Sequence, residues 1–233
     1  MAAPGVLVAF EGVDASGLTT HSRRVVSILR GAGFRSVYTK EPTNGPVGRV
    51  IRELLSWNHE NHDLLALLFA ADRVWHYRLD PDLPGGGIRG ALMAGYVVVS
   101  DRYKYSSMAY QGSYIGVDFV DRINACAPEA DIMVFIDLPV EISLKRLSSR
   151  GRRELYEEEQ RIKRIKRTFE DVISIAESRG VRVVRVNTAP GNREISVEEA
   201  SKLVVERLLE ELNNVLASSK RLSLQPLDNR CPV

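Results

Sequence analysis

A glycine-rich segment that directly follows a run of apolar residues carries the clearest chemical signal in the sequence. It extends from Gly12 through Asp14 and Gly17 to Thr19, and it matches the pattern G-x-x-x-x-G-K-[ST] except that Leu18 replaces the lysine. In such a loop, glycines permit the turn, successive backbone N–H groups face an anion, and the final hydroxyl can reach Mg²⁺. The helix that follows adds its positive N-terminal end. The segment therefore predicts a phosphate-binding site.

The missing lysine leaves two alternatives open. A lysine at this position normally reaches the terminal phosphates and follows charge as it develops during transfer, which a leucine cannot do. The loop could therefore bind a nucleotide without catalysis, or another cation could supply the charge. The backbone parts of the loop do not depend on the side chain at position 18. We expect these residues to bind nucleotide: Gly12, Val13, Asp14, Ala15, Ser16, Gly17, Leu18, Thr19 and Thr20.

Two later segments place charged and aromatic residues where a nucleotide base and a phosphate could meet them. The segment Asp101-Arg102-Tyr103 ends an apolar run, so an acidic and a basic group lie at the end of a predicted strand. Phe69 and Arg73 lie one turn apart on a predicted helix and share a face. An aromatic platform beside a cationic donor suits a planar base. The alternative for Arg73 is a surface arginine with a buried stem.

Four motifs occur in a fixed order, FEG-x-D-x-SG-x-TT, EP, LFAADR and DRY-x-x-S-x-AYQG, and together they resemble the thymidylate kinase family of nucleoside-monophosphate kinases. The resemblance extends from about residue 5 to about residue 215. It implies a phosphoryl transfer from ATP to dTMP, giving ADP and dTDP, with Mg²⁺ and usually a homodimer. The alternatives are a nucleotide-binding pseudokinase with a regulatory or structural role, and a kinase of another pyrimidine deoxynucleotide such as dUMP.

The resemblance also implies roles for single residues near the transferred phosphoryl group. Asp14 would meet the acceptor sugar hydroxyl or the nearby phosphate network. Asp101, together with Thr19, would lie at the Mg²⁺ ion. Arg102 would hold the acceptor phosphate. These roles agree with the chemistry, because two anionic phosphates can approach only with cations between them and carboxylates to place the metal.

On the acceptor side, the resemblance implies that Phe69 stacks on the thymine ring and that Arg73 hydrogen-bonds a base carbonyl. Tyr110 would close the sugar pocket and disfavour a 2′-hydroxyl. The remaining expected substrate-binding residues are polar or charged: Glu41, Ser107 and Gln111. Lys40 stands where arginine is usual in the family, which keeps the charge but loses bidentate geometry.

For a basic cluster after the fourth predicted strand, the resemblance implies a lid that closes over the nucleotide. The cluster contains Lys145 and Arg146, followed by three further arginines that we expect to be catalytic: Arg150, Arg152 and Arg153. The alternative is a solvated charged loop. Family members without an arginine in the phosphate loop carry catalytic arginines in the lid, and this loop has alanine and serine at positions 15 and 16. An arginine that stabilises phosphoryl-transfer charge can accelerate the reaction by about 10³–10⁵-fold, so the lid could compensate for Leu18.

The elements that position these residues follow from apolar patterning. The chain has 233 residues, 44% of them hydrophobic. Near-continuous apolar strands separated by helices predict an α/β fold, a five-stranded parallel sheet with helices on both faces. The P-loop nucleoside-triphosphatase fold of nucleoside-monophosphate kinases agrees with it. The predicted strands are Val6–Phe10, Ser36–Lys40, Tyr96–Ser100, Ile132–Asp137 and Val181–Val186. Two helices show apolar stripes at steps of three and four, Ile162 to Ala176 and Ala200 to Val215.

The organisation predicted is one kinase domain over residues 1–217, with the lid at about 146–157 and a C-terminal tail over 218–233. A net charge of +2 gives no reason to expect a nucleic-acid partner. The longest apolar run, Leu64–Ala71, is far shorter than the roughly 20 residues of a membrane span, and no signal peptide is evident. We therefore expect a cytoplasmic protein with reduced cysteines. The Leu64–Ala71 helix could contribute to a homodimer.

Overall fold

The computed structural model describes residues 5–57, 61–148 and 155–219, which form an α/β fold. The strands are β1 (Val6–Gly12), β2 (Ser36–Lys40), β3 (Val97–Asp101), β4 (Ile132–Asp137) and β5 (Arg182–Asn187). The helices are α1 (Leu18–Gly31), α2 (Pro46–Ser56), α3 (His62–Arg78), α4 (Ile88–Met93), α5 (Lys104–Tyr110), α6 (Gly112–Ile115), α7 (Val117–Ile123), α8 (Val140–Ser148), α9 (Leu155–Ser178) and α10 (Val197–Ser219). A short 3-10 turn covers Pro190–Asn192.

The five strands form one parallel sheet in the order β2-β3-β1-β4-β5, which confirms the predicted fold class. β1 is central, and its residues pair with both neighbours: Val8 lies opposite Val99 in β3 and opposite Ile132 in β4. Because all strands run the same way, their carboxyl ends meet at one edge of the sheet. Ligands bind at this edge in open α/β sheets. The loop after β1 and Asp101 at the end of β3 both lie there.

The two faces of the sheet are covered separately. Alternate β1 residues such as Leu7 and Ala9 pack with Phe169 of α9, in an apolar cluster that also includes residues of α5. Val8 packs on the opposite face, with residues of α1 and α10. The alternation follows from strand geometry, in which successive side chains point to opposite faces. Because helices cover both faces, the carboxyl edge of the sheet is the part that remains open to a ligand.

The predicted helical stripes are buried as expected. Ile162, Ile165, Phe169, Val172 and Ala176 on α9 each expose 2% of their surface or less. On α10, the stripe from Ala200 to Leu212 is also buried, and Val215 is partly buried against the same cluster. α9 ends at Ser178, and Gly180 follows with a φ of 86°, which glycine adopts without strain.

Some boundaries differ from those predicted. β1 continues two residues beyond Phe10 because the ladder to β4 extends to Gly12 opposite Ile136. α10 continues to Ser219, into the segment predicted as tail, and residues 220–233 lie outside the described ranges. Within the described ranges, no helix combines the length and apolar character that crossing a bilayer requires.

Candidate functional site

The loop between β1 and α1 has the backbone of a phosphate cradle. Gly17 has a φ of 87° and Ala15 a φ of 62°, so two residues adopt the left-handed conformation that a tight loop requires. A Cβ on Gly12 would lie 2.8 Å from the carbonyl oxygen of Ile136, so only glycine fits there. α1 starts directly after Gly17 with no side-chain cap and no acidic residue in its first turn. The first turn of α1 therefore carries no acidic side chain of its own that would offset its N-terminal N–H groups.

Leu18 turns its side chain into the apolar core. The residue exposes 6% of its surface and belongs to the cluster that contains Phe10 and Val25. Its Cδ2 would lie 3.5 Å from a Cβ on Gly12, which places it against the loop backbone. Ser16 Oγ is also buried in the loop and has no hydrogen-bond partner among the described residues. Position 18 therefore packs the loop and contributes no charge to it.

The predicted metal ligands Thr19 and Asp101 lie together. Thr19 Oγ1 donates a 2.5 Å hydrogen bond to Asp101 Oδ2, and the hydroxyl of Tyr38 donates to the same oxygen at 3.2 Å. A hydroxyl and one carboxylate are oxygen donors of the kind that Mg²⁺ takes, together with phosphates and water. No cluster of three or more metal-ligating side chains occurs within the described ranges. The donor set fits a magnesium ion that is held largely by a bound nucleotide.

Asp14 is held between two arginines. Arg102 Nη2 donates to Oδ1 at 2.9 Å, and Arg161 Nη2 donates to Oδ2 at 2.9 Å. Burial alone would raise the pKa of Asp14, but the charges of Arg102 and Arg161 outweigh burial and hold it below its usual value. Arg161 also pairs with Glu158 one turn earlier on α9. Sequence reasoning missed Arg161, because nothing in a basic helix shows which arginine faces the loop.

Arg102 connects the phosphate loop with the elements after β3. Its Nη1 donates to the carbonyl oxygen of Gly12 and to Ser106 Oγ, both at 3.0 Å, and its guanidinium lies 5.0 Å from the Tyr110 ring centre. The backbone of Arg102 has a φ of 69°, a conformation that costs energy for a residue with a side chain. Such strain persists where surrounding contacts hold it, and here they hold a guanidinium at the carboxyl edge of the sheet.

The lid cluster is described in part. Arg146 Nη1 donates to the carbonyl oxygen of Ala15 at 2.8 Å, and its Nη2 pairs with Glu194 at 2.7 Å. Ser143 Oγ, on the same helix, donates to the carbonyl oxygen of Asp14 at 2.8 Å. α8 therefore supports the outer side of the loop. The predicted catalytic arginines Arg150, Arg152 and Arg153 lie outside the described residues.

The acceptor side contains a buried ion pair. Glu41 Oε2 accepts from Arg73 Nε at 2.9 Å and from Nη2 at 2.6 Å, and Glu41 Oε1 bonds His76 Nδ1 at 3.0 Å. Arg73 also donates to Ser107 Oγ at 3.1 Å and to Asn124 Oδ1. Burial would raise the pKa of Glu41, but Arg73 and His76 outweigh burial and lower it. Arg73 exposes 1% of its surface, so the surface-arginine alternative is wrong.

The other predicted acceptor residues lie around this pair. Phe69 is half-buried one turn before Arg73 on α3, and it is outside both core clusters. Tyr110 is half-buried, with its hydroxyl 3.3 Å from Arg102 Nη2 and its ring edge-on to Phe169 at 6.2 Å. Burial and the charge of Asp14 raise the pKa of Tyr110, so its hydroxyl is protonated. Gln111 is buried at the end of α5.

Glu11 is a second residue that sequence reasoning did not assign. Its carboxylate accepts from the backbone N–H of Tyr103 at 2.9 Å and from Ser106 Oγ at 2.5 Å, and Ser106 in turn accepts from Arg102. Complete burial raises the pKa of Glu11 to about 8, against the opposing effects of the Ser106 hydrogen bond and the Arg102 charge. The glutamate of the FEG motif therefore links β1 to the segment that carries Arg102.

Comparisons with known proteins agree with this geometry. Residues 10–198 match the protein-family model described as thymidylate kinase. A protein of Aeropyrum pernix, provisionally named thymidylate kinase, is 46% identical over 88% of this chain and 97% of its own length. A "Probable thymidylate kinase" of Methanococcus aeolicus is 34% identical over 87% of this chain and 95% of its own. A "Thymidylate kinase" of Xanthomonas oryzae is 39% identical over 63% of this chain. The chain belongs to the thymidylate kinase family.

Proposed function

We propose that this protein transfers the γ-phosphoryl group of ATP to dTMP, giving ADP and dTDP. The observation that carries the proposal is the position of Arg102. It touches the donor loop at Gly12 and Asp14, and it touches the acceptor side at Ser106 and Tyr110. A kinase of this type must bring two anionic phosphates together in line, and a cation at their meeting point makes that approach possible. No covalent intermediate is needed.

On the donor side, the loop from Gly12 to Thr20 binds the ATP phosphates through its backbone. The uncapped N-terminus of α1 adds N–H groups and a positive dipole end. The buried hydroxyl of Ser16, which has no partner among the described residues, is a further donor for a phosphate oxygen. Thr19 and Asp101 would hold Mg²⁺. That ion, when bound, neutralises charge on the phosphates as they approach the transition state.

The charged residues at the point of phosphoryl transfer have separate roles. Arg102 binds the phosphate of dTMP, and Asp14 keeps the guanidinium of Arg102 in place. Arg161, bound to the other oxygen of Asp14, presents a second guanidinium at the same point. A guanidinium presents several N–H donors in a planar fork that matches phosphate oxygens. Arg150, Arg152 and Arg153 of the lid would close over the nucleotide and stabilise the charge that develops during transfer.

On the acceptor side, Phe69 stacks on the thymine ring and Arg73 donates to a base carbonyl. Arg73 suits this task because Glu41 fixes its guanidinium through two N–H groups, so little conformational entropy is lost on binding. Ser107 and Gln111 line the same region as polar contacts. Tyr110, whose hydroxyl lies beside Arg102, closes the sugar pocket against a 2′-hydroxyl.

An acceptor panel tests the proposal. Purified protein is incubated with ATP, Mg²⁺ and one of dTMP, dUMP, UMP or thymidine, and products are separated by ion-exchange chromatography. We expect ADP and dTDP in equal amounts, with the highest kcat/KM for dTMP. Turnover of dUMP above dTMP would establish the alternative acceptor. Nucleotide binding without turnover of any acceptor would establish the pseudokinase alternative.

The assembly we propose is a homodimer formed through α2 and α3. These helices expose large apolar residues on neighbouring surfaces: Val50, Leu55, Leu64 and Leu67, of which Leu67 exposes 52%. Exposed apolar side chains grouped on two packed helices are typical of a contact surface. Sedimentation velocity tests this, because Leu67→Asp should convert the dimer to a monomer. We further propose that the enzyme acts in the cytoplasm on free nucleotides, with neither a nucleic-acid nor a membrane partner.

A further inference from the structure

The phosphate loop lacks a cation at position 18, and the described arginines that contact the loop, which are Arg102, Arg146 and Arg161, already pair with carboxylates. Arg102 pairs with Asp14 at 2.9 Å, and Arg161 pairs with Asp14 at 2.9 Å and with Glu158 at 2.7 Å. Arg146 pairs with Glu194 at 2.7 Å. A carboxylate beside each guanidinium offsets part of its positive charge. Among the described residues, these pairs leave the donor side of the loop short of a net cation near the predicted metal ligands.

Arg23 is an arginine of α1 that lies close to those ligands. It follows Thr19 by four residues, so the two side chains share one face of the helix. Both residues are exposed. The Arg23 guanidinium lies over the ring of Tyr38, 4.7 Å from its centre. No described carboxylate forms an ion pair with it, so its charge is not offset there.

Tyr38 connects Arg23 to the predicted metal site. The Tyr38 hydroxyl donates to Asp101 Oδ2 at 3.2 Å, and the same oxygen accepts from Thr19 at 2.5 Å. Tyr38 therefore contacts both the Arg23 guanidinium and Asp101, one of the two predicted metal ligands. The segment also has room to rearrange, because Arg23 and Tyr38 line an open groove of about 420 Å³ with Val26, Ser27 and Arg30.

We propose that Arg23 binds the terminal phosphates of the ATP donor and supplies the positive charge that the loop lacks at Leu18. The inference rests on the proposed function, because it assigns a donor-binding residue to that same site. Tyr38 holds the guanidinium beside the site when no nucleotide is bound. A phosphate oxygen is a stronger partner for a guanidinium than an aromatic face, since the hydrogen bonds are charge-assisted. Arg23 therefore leaves Tyr38 for the nucleotide.

The neighbouring arginine provides a matched control. Arg24 is in the same helix turn and has the same charge, but it pairs with Glu198 at 2.6 Å on the side toward α10. Removing Arg24 changes net charge and helix composition as much as removing Arg23 does. A specific effect of Arg23 therefore appears as a difference between Arg23→Ala and Arg24→Ala. Arg23→Lys keeps the charge and tests whether charge is what the site needs.

The test combines calorimetry with kinetics. Arg23→Ala should weaken the Kd for ADP and for a non-hydrolysable ATP analogue at least tenfold, and lower kcat/KM for ATP at least tenfold. Arg24→Ala should stay within twofold of wild type, and Arg23→Lys should retain most of the affinity. Leu18→Lys, which adds a cation to the loop, should restore nucleotide affinity in the Arg23→Ala background. Thermal melting of each variant shows that it is folded.

Unchanged Kd and kcat/KM in Arg23→Ala would overturn the proposal, and so would equal losses in Arg23→Ala and Arg24→Ala. A loss of kcat with unchanged nucleotide affinity would also overturn it, because Arg23 would then not contact the donor. If wild type binds ATP but forms no dTDP, the proposed function fails, and the binding comparison still decides the role of Arg23.

Discussion

Arg161 donates a 2.9 Å hydrogen bond to Asp14 Oδ2, and this contact joins the start of α9 to the phosphate loop. α9 begins directly after the segment predicted as the lid, and Arg161 lies near its start. The opposite oxygen of Asp14 binds Arg102, and the three side chains form one charged unit at the proposed point of phosphoryl transfer. Its members should therefore contribute to phosphoryl transfer more than to folding.

The first prediction concerns this unit. Arg161→Ala should lower kcat/KM for dTMP at least 100-fold, because it removes a guanidinium at the developing charge and releases one side of Asp14. Lys163→Ala is the control, since Lys163 pairs with Glu159 on the exposed side of α9. Steady-state kinetics measures kcat/KM for dTMP in both variants. Equal activity of the two variants would show that Arg161 has only a structural role in α9.

The second prediction concerns the proposed Mg²⁺ ligands. Asp101→Asn should raise the Mg²⁺ concentration required for half-maximal activity at least tenfold, because a neutral amide binds a hard cation more weakly than a carboxylate. Thr19→Val should act in the same direction and remove the 2.5 Å hydrogen bond to Asp101. Titration of Mg²⁺ at fixed ATP measures the shift. An unchanged requirement in both variants would place the metal elsewhere.

The third prediction concerns the buried pair of Glu41 and Arg73. Glu41→Gln should lower the free energy of unfolding by about 3–5 kcal/mol, because it leaves a buried guanidinium without a compensating charge. Glu159→Gln, in an exposed pair, should cost about 1 kcal/mol or less. Urea unfolding followed by circular dichroism measures both. Equal costs at the two sites would contradict the view that Glu41 compensates the buried positive charge of Arg73.

The fourth prediction concerns Glu11 and pH. Its pKa is about 8 in the folded protein, against an ordinary value of 4.5. Between these values the folded protein keeps a proton that the unfolded chain has released. Stability from this group therefore falls as pH rises through the interval, by up to about 1.4 kcal/mol per pH unit. Above the folded pKa the loss is complete, and below pH 4.5 it is absent.

Urea unfolding of wild type and Glu11→Gln at several pH values between 5 and 8 measures this effect. The difference in free energy of unfolding between the two proteins should move in favour of Glu11→Gln as pH rises. The amide oxygen can still accept from the Tyr103 N–H, and the amide NH2 can donate to Ser106 Oγ, so the variant retains both contacts and removes the ionisation. A difference that stays constant with pH would show that Glu11 has an ordinary pKa.

The sheet and the main helices could be predicted from the sequence because their signals are local. Each strand is a short apolar run, and the stripe from Ile162 to Ala176 repeats at helical spacing. The ends of the elements were less predictable, since β1 reaches Gly12 only through its pairing with β4. That pairing depends on residues more than 120 positions apart in the chain.

The site could be predicted only where a motif marks it. The glycine spacing predicted the loop between β1 and α1. The end of an apolar run predicted that Asp101 and Arg102 lie at the end of a strand. The bond between Arg161 and Asp14 spans 147 positions, and which arginine of α9 faces the loop depends on tertiary packing. The pairing of Arg73 with Glu41 could not be predicted either, because the helical pattern around Arg73 carries no information about its tertiary contacts.

The most direct test of the account is chromatographic measurement of products from ATP, dTMP and Mg²⁺ with the wild-type protein, which has leucine at position 18. The account predicts dTDP and ADP in equal amounts, in proportion to enzyme concentration. It also predicts that changing Arg102 to alanine abolishes the product while nucleotide binding at the loop persists. Absence of dTDP at every enzyme and Mg²⁺ concentration would contradict it.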